Sequence, residues 1–369
     1  MITTLKQNLS GLQQKARERT VKTQNIEYDL ETLVKKIKRG TIKLDPDYQR
    51  RHRWTTETSS RLIESLILNI PVPLIYLSQD VDIDIETGDE ESRYSVIDGQ
   101  QRLTAITKFF NNEFSLTGLD ALTELEGTYY KDLPPFLIRR LEERTIKCLR
   151  IDSTVDDQVK YDIFERLNSG SVKLEAQELR NAVSRGPFND LLKELSKDIN
   201  FRILLQIDPN NPESNSKVKK MEDVELVLRF FALNNYNDQS LGKGLKQFLN
   251  DEMDKFNQLS KSELSEMRQT FLITMRTIRE AFGDKAFAKY RYENDAFDKM
   301  SNFNAAVFDA LAVSASMSMD FANPQIAPSA VDGFRDLFKQ QVFFDAVSAS
   351  TSAREKVIAR IEAAKQVFS

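Results

Sequence analysis

The first half of this 369-residue chain is organised around one stretch, Val96-Ile97-Asp98-Gly99-Gln100-Gln101-Arg102-Leu103. Val96 and Ile97 close an apolar run that is typical of a buried strand, and Asp98-Gly99 is a turn dipeptide. The apolar residues that follow recur at helical spacing: Leu103, Ile106, Phe109 and Phe110. The stretch therefore predicts a strand, a tight turn and a helix in direct succession.

A helix that begins immediately after such a turn can bind an anion. Its first backbone N–H groups lack partners within the helix and lie at the positive end of the helix dipole. Gly99 allows the backbone to approach a ligand closely, and Gln100 and Gln101 can donate hydrogen bonds to phosphate oxygens. Arg102 can pair with a phosphate through two N–H groups, while Asp98 can hold a metal ion or orient a water molecule. The alternative is an ordinary joint in which Asp98 caps the helix, but the two glutamines and the arginine favour a phosphate site.

Two further segments carry residues suited to phosphate or metal binding. In Asp45-Pro46-Asp47-Tyr48-Gln49-Arg50, the arginine can reach a phosphate and Tyr48 can stack or hydrogen-bond, whereas the later Trp54 is expected to pack beneath the next helix. In Phe164-Glu165-Arg166-Leu167-Asn168-Ser169-Gly170, Glu165 and Asn168 can hold Mg²⁺ or its waters, and Arg166 can contact phosphate. Taken alone, this last segment is more typical of a plain helix end with solvated charges.

The composition excludes several classes of site and compartment. The chain has one cysteine, Cys148, and one histidine, His52, whereas a zinc site of the Cys/His type needs about four such ligands. No apolar run approaches the ~20 residues of a membrane span, and the N-terminus lacks the basic-then-apolar order of a secretory signal. We therefore expect a cytoplasmic protein without a membrane partner.

Charge is distributed unevenly along the chain. The net charge is -4, but residues 1–53 hold 13 Lys and Arg against 6 Asp and Glu, a net of +7, so the remainder carries -11. A basic N-terminal region on an acidic protein is typical of a polyanion partner such as DNA. A solvated helix surface would give the same pattern, and the sequence does not separate the two.

The order of predicted elements indicates an α+β protein. Residues 1–24 are predicted to form a basic polar arm, and residues 25–190 alternate between helical and strand patterns. From Glu222 onward the sequence carries helical periods only, which predicts an all-α C-terminal domain over residues 191–369. The polar segment 206–220 is expected to be a loop near the domain boundary.

Four motifs, in this order, resemble a single family. They are Pro46-x-Tyr48-Gln49-Arg50-x-x-x-Trp54, Arg61-Leu62-Ile63-Glu64-Ser65, Val96 to Leu103, and Phe164-x-Arg166-Leu167-Asn168-Ser169-Gly170. The family is the N-terminal domain of GmrSD-type modification-dependent restriction enzymes, and the likeness spans about residues 26–190. Less distinctively, Met221 to Leu226 and Phe248 to Asn250 resemble its helical continuation.

The resemblance implies a ParB/sulfiredoxin-like fold for residues 25–190, with Mg²⁺-dependent binding and hydrolysis of a nucleoside triphosphate. It implies that four residues meet the phosphates and carry catalysis: Asp98, Gln100, Gln101 and Arg102. It places six others in the nucleotide-binding site: Tyr48, Gln49, Arg50, Gly99, Arg166 and Asn168. Asp98 and Glu165 would hold the metal.

The resemblance also has a limit. Full-length members carry a His-Asn-His nuclease domain that cuts DNA, but this sequence has no histidine after His52, so DNA cleavage by these residues alone is not expected. The leading hypothesis is a triphosphate-hydrolysing DNA sensor of a prokaryotic, restriction-like defence system. The alternative is a DNA-binding or interaction subunit without turnover that works with a separate nuclease or other defence-system chain. A homo-oligomer is compatible with both.

Overall fold

The computed structural model describes residues 22–44, 54–83, 90–152, 175–236 and 240–368. The chain divides into two compact units, Met1–Lys173 and Leu174–Ser369. Within the described ranges, no helix combines the length and the apolar character that a membrane crossing needs.

The first unit is built around a mixed five-stranded sheet in the order β1-β5-β3-β4-β2. Its strands are β1 Thr23–Asp29, β2 Ile42–Lys43, β3 Ile75–Ile83, β4 Glu90–Asp98 and β5 Thr145–Ile151. The pairs β1–β5 and β3–β4 are antiparallel, whereas β2–β4 and β3–β5 are parallel. A sheet of this kind with helices from the same chain confirms the predicted α+β class.

Strand β1 was not predicted by the sequence. It pairs with β5 along its full length, from Thr23 opposite Ile151 to Asp29 opposite Thr145. The strand is mostly polar and lies at the edge of the sheet, so it shows little of the apolar alternation that marks a half-buried strand. As a result, Thr23 and Gln24 belong to the sheet and not to the predicted arm 1–24, of which residues 1–21 lie outside the described residues.

The described helices of the first unit are α1 Leu30–Lys38, α2 Thr56–Ile67, α3 Gln100–Phe110 and α4 Pro135–Glu142. Their apolar faces bury one core against the sheet, and it includes Leu33, Ile63, Leu66, Ile75, Leu103, Ile106, Phe109 and Cys148. The predicted inward face of α3 is thus confirmed. The apolar spacing from Leu62 to Ile70 predicts that Ile70 lies on the buried stripe of α2. Ile70 is instead exposed, because the helix ends at Ile67 and Asn69 turns the chain with a φ of 64°.

The motif Arg61 to Ser65 has a structural role that residue types alone did not indicate. The carboxylate of Glu64 is buried and accepts the backbone N–H groups of Asp120, Ala121 and Leu122 at 3.2, 2.7 and 2.7 Å. Burial by itself raises the pKa of this carboxyl, but the three N–H donors bring it below its ordinary value. Glu64 therefore fixes the loop at residues 120–122 as a carboxylate.

The second unit is mainly helical. Its described helices are α5 Ala176–Val183, α6 Pro187–Leu195, α7 Ile199–Leu204, α8 Ser216–Lys219, α9 Glu222–Asn234, α10 Leu245–Phe256, α11 Lys261–Phe282, α12 Ala305–Ser318, α13 Pro328–Asp336, α14 Gln341–Ala346 and α15 Arg354–Phe368. Their buried side chains form a second core that includes Phe188, Phe201, Phe230, Phe271, Phe308 and Phe343.

The prediction of an all-α second domain is wrong in one place. Strands β6 Lys289–Glu293 and β7 Ala296–Ser301 form an antiparallel hairpin. Asn294 and Asp295 at its tip both have positive φ, 52° and 58°, the combination that two-residue hairpin turns require. The Asn-Asp pair between alternating aromatic residues indicates a hairpin, and the all-α prediction did not take it into account.

The boundary between the units lies earlier in the chain than residue 190, the position predicted from the sequence. Leu179 of α5 is buried, and Phe188 and Leu191 of α6 belong to the core of the second unit. The polar segment 206–220 is also part of this unit: it contains α8, and Ile207 and Val218 are buried. Scattered apolar residues therefore fix this segment, although its composition is typical of a loop.

A chain of alternating charges runs through the second unit. Arg180 of α5 donates to Asn250 Oδ1 at 2.8 Å and to Glu225 Oε2 at 2.9 Å. Asp309, fully buried on α12, accepts from Arg229 at 3.0 Å and from Arg360 at 2.5 Å. Burial alone raises the pKa of Asp309, but the two guanidinium groups bring it below its ordinary value. The motifs Met221 to Leu226 and Phe248 to Asn250 each contribute one partner of Arg180.

Candidate phosphate-binding site

A β-bulge directs the chain into the candidate site. Tyr76 of β3 lies opposite Asp98, and the next residue, Leu77, lies opposite Val96. Ile97 is therefore the extra residue on β4, and a bulge of this kind bends its strand and redirects the neighbouring side chains. The bend falls immediately before the turn that starts α3.

Gly99 makes this turn, and its conformation requires glycine. Its φ is +101°, and a Cβ at this position would lie 2.3 Å from Cδ1 of Ile75. Gly99 is also the N-cap of α3, and no side chain caps this helix. The alternative in which Asp98 caps α3 is therefore wrong, and the first turn of the helix carries no acidic residue that would oppose an anion.

Arg102 joins three parts of the turn. Its Nη2 lies 2.6 Å from Oδ2 of Asp98, and its Nη1 donates to the carbonyl oxygens of Pro73 and, at 3.1 Å, Leu74. Burial lowers the pKa of this guanidinium, and the Asp98 carboxylate opposes that effect. Because arginine stays protonated in proteins, Arg102 holds the end of β4 against the segment that leads into β3 as a cation.

Exposure differs between the two charged partners. The Arg102 side chain is 11% exposed, whereas that of Asp98 is 45% exposed. Gln100 and Gln101 are each 7% exposed. The turn therefore presents a half-exposed carboxylate beside a largely covered arginine, at the open end of a helix.

The structure brings five of the predicted site residues together: Asp98, Gly99, Gln100, Gln101 and Arg102. Six others lie outside the described residues: Tyr48, Gln49, Arg50, Glu165, Arg166 and Asn168. Trp54 packs against the core of the first unit, as expected from the sequence. The carbonyl groups of Pro73 and Leu74 were not predicted as partners of Arg102, since every residue has a carbonyl and only tertiary structure selects which ones meet a guanidinium.

The described residues fit a Mg²⁺ ion only as contributors to a shared site. Across the described ranges, no three His, Cys, Asp or Glu side chains lie close enough to hold a metal ion. Asp98 offers one half-exposed carboxylate, partly engaged by Arg102. Mg²⁺ is commonly held by one or two carboxylates together with waters and substrate phosphates, so a single carboxylate is compatible with it. The second predicted ligand, Glu165, lies outside the described residues.

Cys148 lies beneath the site but is unsuited to nucleophilic chemistry. It is on β5 opposite Ile75 and is buried. Burial raises the pKa of its thiol to about 12, although Arg102 acts in the opposite direction. The reactive thiolate is therefore scarce at neutral pH.

Residues 30–184 match the GmrSD restriction endonuclease, N-terminal domain. This segment is a GmrSD-type N-terminal domain. It runs from α1 through the turn at Gly99 and ends just after α5, so it includes one helix of the second unit. Neither the curated proteins nor the solved structures contain a match to the chain.

Proposed function

We propose that this protein binds and hydrolyses a nucleoside triphosphate at the Asp98–Arg102 turn, and that it senses DNA in a restriction-like defence system. The observation that carries the proposal is the uncapped start of α3 beside Arg102, in a domain of the GmrSD family. Phosphoryl transfer depends mainly on positioning and on neutralising phosphate charge. This turn can supply both positioning and charge neutralisation, because it combines a glycine with positive φ, a helix N-terminus and a guanidinium.

The N–H groups of Arg102 would be divided between protein acceptors and the ligand. A guanidinium has five N–H bonds, and three of these donate to Pro73, Leu74 and Asp98. The Nε–H and the second Nη2 proton have no acceptor among the described residues and would be left for a phosphate oxygen. Arg102 would thus orient Asp98 and contact the triphosphate at once.

The remaining roles follow from residue type. The first backbone amides of α3 would receive a phosphate, which Gly99 lets approach closely. Bound Mg²⁺ would supply charge neutralisation, and Asp98 and Glu165 would hold it. Tyr48, Gln49, Arg50, Arg166 and Asn168 would complete the nucleotide site, as the family resemblance implies.

Titration calorimetry with a panel of nucleoside triphosphates, with and without Mg²⁺ and DNA, tests this proposal. We expect one triphosphate to bind in a Mg²⁺-dependent manner and to release phosphate, and we expect DNA to change the rate. Absence of binding across the whole panel at millimolar concentrations would reject the nucleotide site.

A second candidate function is favoured by the contacts of Arg102. Because most of its donors already meet protein acceptors, the turn is also suited to a purely structural role. The chain would then be a DNA-binding or interaction subunit without turnover, paired with a separate nuclease chain. Its signature is DNA affinity that falls steeply with salt and does not respond to any nucleotide.

A further inference from the structure

A basic groove lies on the first unit, outside the turn at Gly99. It has a volume of about 500 Å³, and its lining includes Asn69, Phe136, Arg139, Arg140, Glu143 and Arg144. Three arginines against one glutamate give the lining a net positive charge. The volume is large enough for a small part of an extended ligand.

The arginines of α4 are available to a ligand. Arg139 and Arg140 are exposed, and neither has an ion pair or a hydrogen bond in the part of the chain that the structure describes. The nearby Glu142 receives the hydroxyl of Tyr130 at 2.8 Å. Basic residues in the last turn of a helix also complement the helix dipole, which would account for the charges of α4 without any ligand.

Phe136 is the feature that the helix dipole does not explain. It is 64% exposed and lies three and four residues before Arg139 and Arg140, so the three side chains share one face of α4. The opposite face buries Leu141. An aromatic ring between arginines on a solvent-facing surface is typical of nucleic-acid sites, where phosphates meet the cations and a sugar or base meets the ring.

Arg144 gives the groove a fixed cation. Its guanidinium donates to Oδ1 of Asn69 and, at 3.3 Å, to the carbonyl of Ile70, and its Nε is buried without an acceptor among the described residues. The same connecting segment, residues 69–74, is held at its other end by Arg102. One short segment therefore links the basic groove to the turn at Gly99.

We propose that this groove binds the phosphate backbone of DNA through Arg139, Arg140 and Arg144, with Phe136 against a sugar or base. The inference rests on the DNA-sensing part of the proposed function and adds the contact surface. It does not require nucleotide hydrolysis.

Fluorescence anisotropy of a labelled DNA duplex with the full chain tests the proposal. We expect the double variant R139A/R140A to bind DNA about tenfold or more weakly, and the slope of log affinity against log salt to fall by about 2, one for each lost phosphate contact. F136A should weaken binding without changing the salt slope. The control K261A/R276A removes two exposed cations from α11 and should change neither quantity.

Two further measurements separate a failure of the DNA groove from a failure of the nucleotide site, and DNA binding from a general affinity for negative charge. Nucleotide binding by R139A/R140A should equal that of the unmodified chain, so a failure of the nucleotide site would appear there and not in the DNA titration. Poly-glutamate should not displace DNA at an equal concentration of charge. Unchanged DNA affinity in R139A/R140A, absence of DNA binding by the unmodified chain, or equal displacement by poly-glutamate would each overturn the inference.

Discussion

Nη2 of Arg102 lies 2.6 Å from Oδ2 of Asp98, four residues earlier in the chain. This pair spans the junction between β4 and α3, because Asp98 ends the strand and Arg102 lies in the first turn of the helix. Its consequence is that a change at Arg102 alters the carboxylate, the helix start and the segment before β3 together.

The variant Arg102→Lys should therefore lose contacts within the protein as well as contacts with the ligand. Lysine keeps the charge, but one ammonium group cannot reproduce the planar fork that meets Asp98 and two carbonyl groups. We expect loss of nucleotide binding and a fall of about 1–3 kcal/mol in the free energy of unfolding of the first unit. Arg276→Lys, at an exposed position of α11, is the control, and full nucleotide affinity in Arg102→Lys would contradict the assignment.

Gly99→Ala should damage the turn through two separable causes. A positive φ disfavours alanine, and the added Cβ would meet Cδ1 of Ile75. We expect about 1–3 kcal/mol of destabilisation from the overlap in addition to about 1 kcal/mol from the backbone. Urea unfolding followed by the fluorescence of Trp54, the chain's single tryptophan, reports on this unit.

Two further variants separate these causes. Gly127→Ala has a positive φ but nothing within 4 Å of the new Cβ, so it should show the backbone cost alone. Adding Ile75→Val to Gly99→Ala removes Cδ1 and should recover part of the stability. If Gly99→Ala and Gly127→Ala cost the same, the close contact with Ile75 is unimportant.

Glu64→Gln should change the acid stability of the first unit. The pKa of Glu64 is lower in the folded chain than its ordinary value, so its contribution is present above the ordinary carboxyl pKa. That contribution is lost as the pH falls through the folded-state pKa. We expect the glutamine variant to be about 1–3 kcal/mol less stable at pH 7 and to lose less stability between about pH 5 and pH 3.

The same Trp54 signal, recorded across this pH range, measures both effects. Glu124→Gln, an exposed position in the neighbouring loop, should leave the stability curve unchanged. If Glu64→Gln and the unmodified chain lose the same amount of stability between about pH 5 and pH 3, Glu64 is not the titrating group.

Asp309→Asn should destabilise the second unit. The change removes the negative charge between Arg229 and Arg360, both of which are largely buried. Breaking a buried ion pair by removing one partner costs about 3–5 kcal/mol, because it leaves an uncompensated charge. Far-UV circular dichroism during urea unfolding follows this helical unit, and Asp332→Asn at an exposed site of α13 is the control. An equal midpoint for the two variants would show that the network contributes little.

The sequence by itself determined much of the first unit. Apolar periods predict helices over residues 31–39 and 57–69 and a strand over residues 145–151, within one or two residues of α1, α2 and β5, because these elements bury one face and their residue types must follow that face. The strand, turn and helix at Asp98 were predicted for the same reason, and Gly99 was recognisable as a turn residue. The family of this segment was also evident from its motifs.

Only the tertiary structure decided what these residues contact. Edge strand β1 is recognisable by its pairing with β5 and not by its polar residues. The acceptors of Arg102, the three amides held by Glu64 and the partners of Arg180 come from distant parts of the chain. A sequence pattern reports how a residue is buried within its own element, whereas a long-range hydrogen bond depends on where two elements meet in space.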